Sequence, residues 1–137
     1  MAINVYMVFD GDAYEAIRYY EKVFDAGKAE IMTFGEAPPH PEYPLPEEAK
    51  QRVMHGRLEI NGSDVMFSDT FPGSILNKGD NITLAVVLED EETLRTQFNR
   101  LKEGGVVQME LQETFCSKLY GQVIDRFGIS WQFNLGE

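Results

Sequence analysis

At 137 residues and 15.6 kDa the chain holds one domain with a sizeable core, or two small repeats fused into one, and one domain is the simpler count. Hydrophobic residues make up 43% of the total and charged residues 26%, and no apolar run is long enough to cross a bilayer, so the composition is that of a globular soluble chain without a membrane partner. A formal charge of −11 excludes nucleic acid as a partner, because such binding draws most of its affinity from neutralising phosphates with Lys and Arg.

Ile3 to Phe9 alternate and are rich in apolar types, which predicts a strand. Asp12 then stands as a helix cap before the stripe Ala13, Ala16, Ile17, Tyr20, Val23 and Phe24, and Gly27 is the expected stop. Lys28 to Phe34 reads as a second strand. Pro38, Pro39, Pro41, Pro44 and Pro46 preclude regular structure over the next stretch, where His40 is expected to face solvent. Gln51 to Ile60 and Asp64 to Ser68 read as strands joined by the turn Asn61-Gly62, which completes a βαβββ unit.

The plan then starts again. Ile82 to Leu88 reads as a strand, Asp90 as a cap, and Leu94, Phe98 and Leu101 as a helical stripe ending at Gly104-Gly105. Placing Asp12 on Asp90 and Gly27 on Gly105 gives a constant offset of 78 positions (90 − 12, 105 − 27). Gly62 before the last strand of the first unit matches Gly128 before the last strand of the second, an offset of 66 (128 − 62). The missing 12 positions equal the proline-rich run Gly35 to Pro46, which is read as an extra loop in the first repeat and a candidate lid. Asp125-Arg126-Phe127-Gly128 is the last hairpin turn, between strands that would line a cavity. The domain is thus 1–137, with repeats at about 1–70 and 80–137 and the Pro-rich loop at 35–46. Two such units cannot each bury a strongly curved sheet alone, so a pocket between packed modules is expected. The fold class is α+β, two βαβββ modules forming curved mixed sheets.

The opening Met1-Ala2-Ile3-Asn4-Val5-Tyr6-Met7 lacks the basic and apolar segments of a secretory signal, and a single cysteine agrees with a reducing compartment, so a cytoplasmic address is expected. The acidic clusters Glu89-Asp90-Glu91-Glu92 and Glu47-Glu48 read as solubilising charge and as helix N-terminal charge.

The paired units, the helix Glu15-Ala16-Ile17-Arg18-Tyr19-Tyr20 and the closing Asp125-Arg126-Phe127-Gly128-Ile129-Ser130-Trp131-Gln132 resemble the vicinal oxygen chelate superfamily of glyoxalases, bleomycin resistance proteins and extradiol dioxygenases. Within it, His55-Gly56-Arg57-Leu58-Glu59-Ile60-Asn61-Gly62, Val65-Met66-Phe67-Ser68-Asp69, Thr114-Phe115 and Tyr120-Gly121 resemble the PhnB-like branch, labelled 3-demethylubiquinone 3-methyltransferase-like. The resemblance implies a glyoxalase/bleomycin-resistance-like fold over nearly the whole chain.

Metal enzymes of this superfamily use His and Glu from the first and last strand of each repeat. The resemblance and the internal repeat point to Val5, to Met66 or its neighbour Phe67, to Thr83 within a residue or two, and to Gln132. Three of the four cannot hold a metal, and one glutamine carbonyl with a threonine hydroxyl supplies too little charge and too few donors. No Gly-x-Gly-x-x-Gly loop follows a strand to receive an adenosyl cofactor, so no cofactor is expected.

His55 can serve as a general base, or as a histidine hydrogen-bonded across the repeat interface. Cys116, with Lys118 two residues on, is either a candidate nucleophile or a small, partly buried filler; the resemblance implies tryptophan there in related members, hence a wider pocket here. Ser68 and Asp69 offer a hydroxyl and a carboxylate to a ligand, or Asp69 caps the following loop; Asp125 is expected to bond within its turn. Tyr120 and Trp131 suit a ring-containing ligand, and suit core packing equally.

The resulting expectation is a homodimer, which the resemblance and the need to cover open sheet edges imply, that binds a small organic molecule without a metal. Tyr6, His55, Phe67, Thr83, Cys116, Tyr120, Trp131 and Gln132 are the expected lining, with His55 as the catalytic candidate. The alternatives are a metal-independent enzyme of lyase or isomerase type with His55 as base, Asp69 as its partner and Gln132 polarising a carbonyl, or a protein that passively sequesters a drug or toxin.

Overall fold

The computed structural model describes residues 3–38, 42 and 44–136. Its contacts divide the chain into two compact units, one ending at Asn77 and one beginning at Lys78. The first contains β1 (Val5–Phe9), α1 (Ala13–Val23), β2 (Glu30–Thr33), β3 (Val53–Ile60) and β4 (Ser63–Asp69). The second contains β5 (Leu84–Leu88), α2 (Glu91–Leu101), β6 (Val106–Thr114), β7 (Ser117–Ile124) and β8 (Ser130–Leu135). Each is βαβββ with one four-stranded mixed sheet, ordered β1-β4-β3-β2 and β5-β8-β7-β6, in which the first strand runs parallel to the last and the other pairs are antiparallel.

Several elements are shorter than their patterns predict. Ile3 and Ile82 stand outside β1 and β5 and are largely exposed, so Thr83 precedes β5 rather than lying in it. β2 stops at Thr33, and Phe34–Glu36 turn as a short 3-10 helix, with Glu36 accepting from the Thr33 backbone and hydroxyl. A second 3-10 turn, Glu47–Ala49, precedes β3. His40, Pro39 and Pro41 lie outside the described residues. The ends of the intervening loop are tied by Phe34 N–H to Arg52 O and Gly35 N–H to Lys50 O, both 3.0 Å.

In each unit the helix stripe packs on one sheet face. Ala13, Ala16, Ile17, Tyr20 and Val23 of α1 and Leu94, Gln97, Phe98 and Leu101 of α2 are buried. The aromatic cores repeat: Tyr20 stacks on Phe67 at 6.0 Å, and Phe98 meets Phe133 edge-on at 5.4 Å. Phe67 and Phe133 each stand opposite a glycine on the neighbouring strand, Gly56 and Gly121. A Cβ on Gly56 would lie 2.7 Å from Ile17 Cδ1, and one on Gly121 would lie 3.0 Å from Phe98 Cε2 and 2.9 Å from Leu111 Cδ2. The missing side chains let each helix sit close to its sheet. The Asn61-Gly62 hairpin has φ of 50° and 87°, as a type I′ turn requires.

Two helix boundaries differ in mechanism from the sequence expectation. α1 is left through Asp25, at φ 46°, two residues before Gly27, because a short polar side chain tolerates the left-handed region. At its start, Asp12 occupies the cap position but makes no capping side-chain bond. Asp69, at the end of β4, takes that role: Oδ1 accepts from Gly11 N–H at 2.7 Å and Ala13 N–H at 3.1 Å, while Oδ2 accepts from Val53 N–H at 2.8 Å.

Candidate functional site

The strand period of 2 gives each sheet a face buried under its helix and a second face carrying the intervening residues. In the first unit this open face carries Tyr6, Val8, Met66, Ser68, His55, Arg57 and Met32. Tyr6 and His55 are exposed, their ring centroids 6.3 Å apart. The Arg57 guanidinium is held by Asp64 at 2.7 Å and Glu30 at 3.5 Å, and the hydrogen bond it donates to Asp64 is the chief cause of its raised pKa.

The open face of the second unit has two central rows. One is Ala85, Gln132, Gln122 and Met109, and the other is Val87, Asn134, Tyr120 and Gln112. Neither row carries a charged side chain. Gln122 Nε2 donates to the Tyr120 hydroxyl at 3.0 Å, and that hydroxyl donates to Gln132 Oε1 in a short hydrogen bond. The phenol therefore reaches diagonally from its own row to bridge two glutamines that face each other across β7 and β8. Ser117 bonds Asn134 Oδ1 farther along the same face. Beyond Asn134 a cavity of about 490 Å³ is lined by residues including Thr114, Cys116, Ser117 and Lys118.

His55, Tyr6, Tyr120 and Gln132 thus stand on open faces, whereas other members of the expected lining do not. Phe67 is fully buried between Tyr20 and Phe9, and the neighbouring open-face position belongs to Met66. Trp131 lies on the helix side, 3% exposed, and its indole N–H donates to Asp125 Oδ2 at 2.9 Å. Thr83 is exposed ahead of β5, and Ala85 occupies the open-face position beside Gln132. Cys116 is exposed rather than partly buried, because Phe115 and Cys116 project past the last β6–β7 pair, Thr114 with Ser117. Asp125 bonds within its turn as expected, accepting from Phe127 N–H and Ile129 N–H in addition to the indole. Asp69 belongs to the buried side and accepts only from backbone N–H groups, which removes it as a partner for His55. Gln122 escaped the sequence reading, although its separation of two from Tyr120 on one strand was the available signal.

The first and last strands of the two units present Tyr6, Met66, Ala85 and Gln132 at open-face positions. Neither pair, a phenol with a thioether or a methyl group with an amide, fits a divalent metal, which needs carboxylate, imidazole or thiolate donors. Among the described residues no group of three His, Cys, Asp or Glu could hold one. An adenosyl cofactor finds no glycine-rich cradle after β1 either: the N–H of Gly11, the single glycine of that turn, is already bonded to Asp69.

Two βαβββ units with first and last strands parallel define the glyoxalase/bleomycin-resistance-like fold of the vicinal oxygen chelate superfamily. A Frankia glyoxylase/bleomycin resistance protein/dioxygenase domain has the same fold, with a TM-score of 0.63 at 14% identity over 100% of this chain and 98% of that one. Within the superfamily the chain belongs to the 3-demethylubiquinone-9 3-methyltransferase family, the PhnB-like branch, whose model matches residues 1–134. It is 29% identical to Escherichia coli protein YjdN over 144 residues, 98% of this chain and 95% of that protein. The crystal structure of Pseudomonas aeruginosa protein PA1353 has a TM-score of 0.84 and 31% identity, covering 98% of this chain and 97% of that one. A Bacillus cereus PhnB protein gives 0.76 and 28%, covering 99% and 100%.

Proposed function

We propose that the chain binds a small organic molecule on the open sheet faces, without a metal ion or an adenosyl cofactor. The observation that carries this reading is the pairing across the first and last strand of each open face, Tyr6 with Met66 in the first unit and Ala85 with Gln132 in the second. Hydrogen-bonding amides and aromatic rings suit a polar organic ligand, and the same residues supply no anionic donor for a cation. Native mass spectrometry of protein purified without chelator tests it: a co-purifying organic mass without metal supports the proposal, and stoichiometric zinc, nickel, manganese or iron overturns it. The homodimer and the cytoplasmic address belong to the same proposal. An exposed, unpaired Cys116 accords with a reducing compartment, and light scattering at micromolar concentration checks the dimer.

A second reading, catalysis with His55 as base, is favoured by one observation: the imidazole is exposed on the open face beside the Tyr6 ring. Without Asp69 as partner the base would act alone or with Tyr6. Once a substrate is found, His55→Gln should abolish turnover if this reading holds, and should leave passive binding intact if it does not.

A further inference from the structure

We infer that the open face of the second unit recognises an uncharged ligand through a carbonyl oxygen lying beside an N–H or O–H, the edge of a carboxamide or lactam. The inference rests on the proposal that this face binds a small organic molecule, and it adds the chemistry of the ligand. Its basis is the direction of the Gln122–Tyr120–Gln132 chain. A phenol has one proton to give. The Tyr120 oxygen accepts from Gln122 Nε2 and its proton goes to Gln132 Oε1, so one amide turns its nitrogen to the phenol and the other its oxygen. Gln132 is left with its NH₂ group as a donor, and Gln122 with its Oε1 as an acceptor. No buried side-chain nitrogen or oxygen among the described residues lacks a partner, and these two atoms make no hydrogen bond there, so both are open to solvent.

The two glutamines are direct cross-strand neighbours, so donor and acceptor stand side by side on one face. A partner that pairs with both must carry an acceptor next to a donor. A carboxylate satisfies Gln132 but sets a negative charge against the Gln122 carbonyl, and an ammonium group does the reverse. Either also exchanges its hydration for two central rows that hold no charged side chain, the Lys118 ammonium lying beyond them on the same strand face, which disfavours ions. Tyr120 is a positioning residue here: its hydroxyl couples the two amides so that neither flips alone, and so keeps a donor beside an acceptor.

Three probes of equal size decide the matter: benzamide, benzoate and benzylamine, titrated against the side-chain amide resonances of Gln122 and Gln132, which are assigned from the Gln122→Leu and Gln132→Leu variants. Benzamide should move both resonances and bind about threefold more tightly than either ion, the worth of one extra hydrogen bond. Tyr120→Phe should leave the sheet folded and reduce that preference to about one, since the freed amides can turn to suit any probe. Benzoate or benzylamine binding at these resonances as tightly as benzamide would overturn the ligand chemistry while leaving small-molecule binding on the face intact. Silence of both resonances to all three probes would remove this inference and the binding face together.

Discussion

The carboxylate of Asp69 accepts the backbone N–H of Ala13 at 3.1 Å from the far end of β4, and so closes the first turn of α1 from 56 residues away. The same side chain holds Gly11 and Val53, joining the βα turn, the start of β3 and the end of β4 at one point. Asp69→Ala would leave three donors unsatisfied beside a buried site and should cost about 3 kcal/mol in urea unfolding. Asp12→Ala, at the cap position in sequence, should change stability by less than about 0.5 kcal/mol. Equal losses for the two variants would refute the long-range cap.

Gly56→Ala should destabilise by about 1–3 kcal/mol through overpacking. The contact responsible is a single atom, Ile17 Cδ1, which valine lacks. In an Ile17→Val background the alanine should therefore cost about 1 kcal/mol less than in the parent. Additive losses in that double-mutant cycle would show that the strain lies elsewhere. Gly121→Ala should cost more, since Leu111, Phe98 and the Met109 carbonyl all crowd the same point.

Glu21 ties the last turns of α1 to the approach to β2, accepting from Ala29 N–H at 2.7 Å and from Arg18 at 2.9 Å. Burial is the largest influence on it and opposes ionisation, but the Ala29 bond, Arg18 and Lys28 together outweigh it, and its pKa falls below the ordinary 4.5. A lowered folded pKa means stability that is present above the unfolded value and lost as pH falls through the folded one. Glu21→Gln should therefore be less stable than the parent by about 1–2 kcal/mol at pH 7. The gap should close on acidification below 4.5. A gap independent of pH would contradict the ionic origin.

Trp131, the single tryptophan, reports on Asp125 directly. Its emission should be that of a buried indole. Asp125→Ala, which removes the acceptor of the indole and of the Phe127 and Ile129 backbone groups, should shift the emission to the red and lower stability by about 3 kcal/mol. An unchanged spectrum in a folded variant would show that the indole keeps its environment without the carboxylate.

The units, their helices and most strands were legible because 3.6-residue and 2-residue periods repeat at a constant offset, and caps and turn residues mark their ends. Local signals failed where a distant group did the work. The role of Asp69 depends on β4 ending beside α1, a relation between residues far apart in the chain. The site was legible only in part for a related reason. Alternation tells which residues share a face, as Tyr120 shares one with Gln122, but not which face the helix covers. Phe67 and Trp131 attracted attention as aromatic residues, yet the helix stripes claim exactly that kind of side chain. Gln122, uncharged and unremarkable in sequence, gains its meaning only from the phenol that orients it.

The proline-bearing loop leaves and re-enters the first unit at a clamp, where Phe34 and Gly35 bond the carbonyls of Arg52 and Lys50. With its ends fixed, the cost of a longer loop grows only logarithmically, by about 0.6 kcal/mol for each doubling. The number of residues between Gly35 and the buried Ala49 is therefore free to vary at small cost while the frame on either side keeps its register.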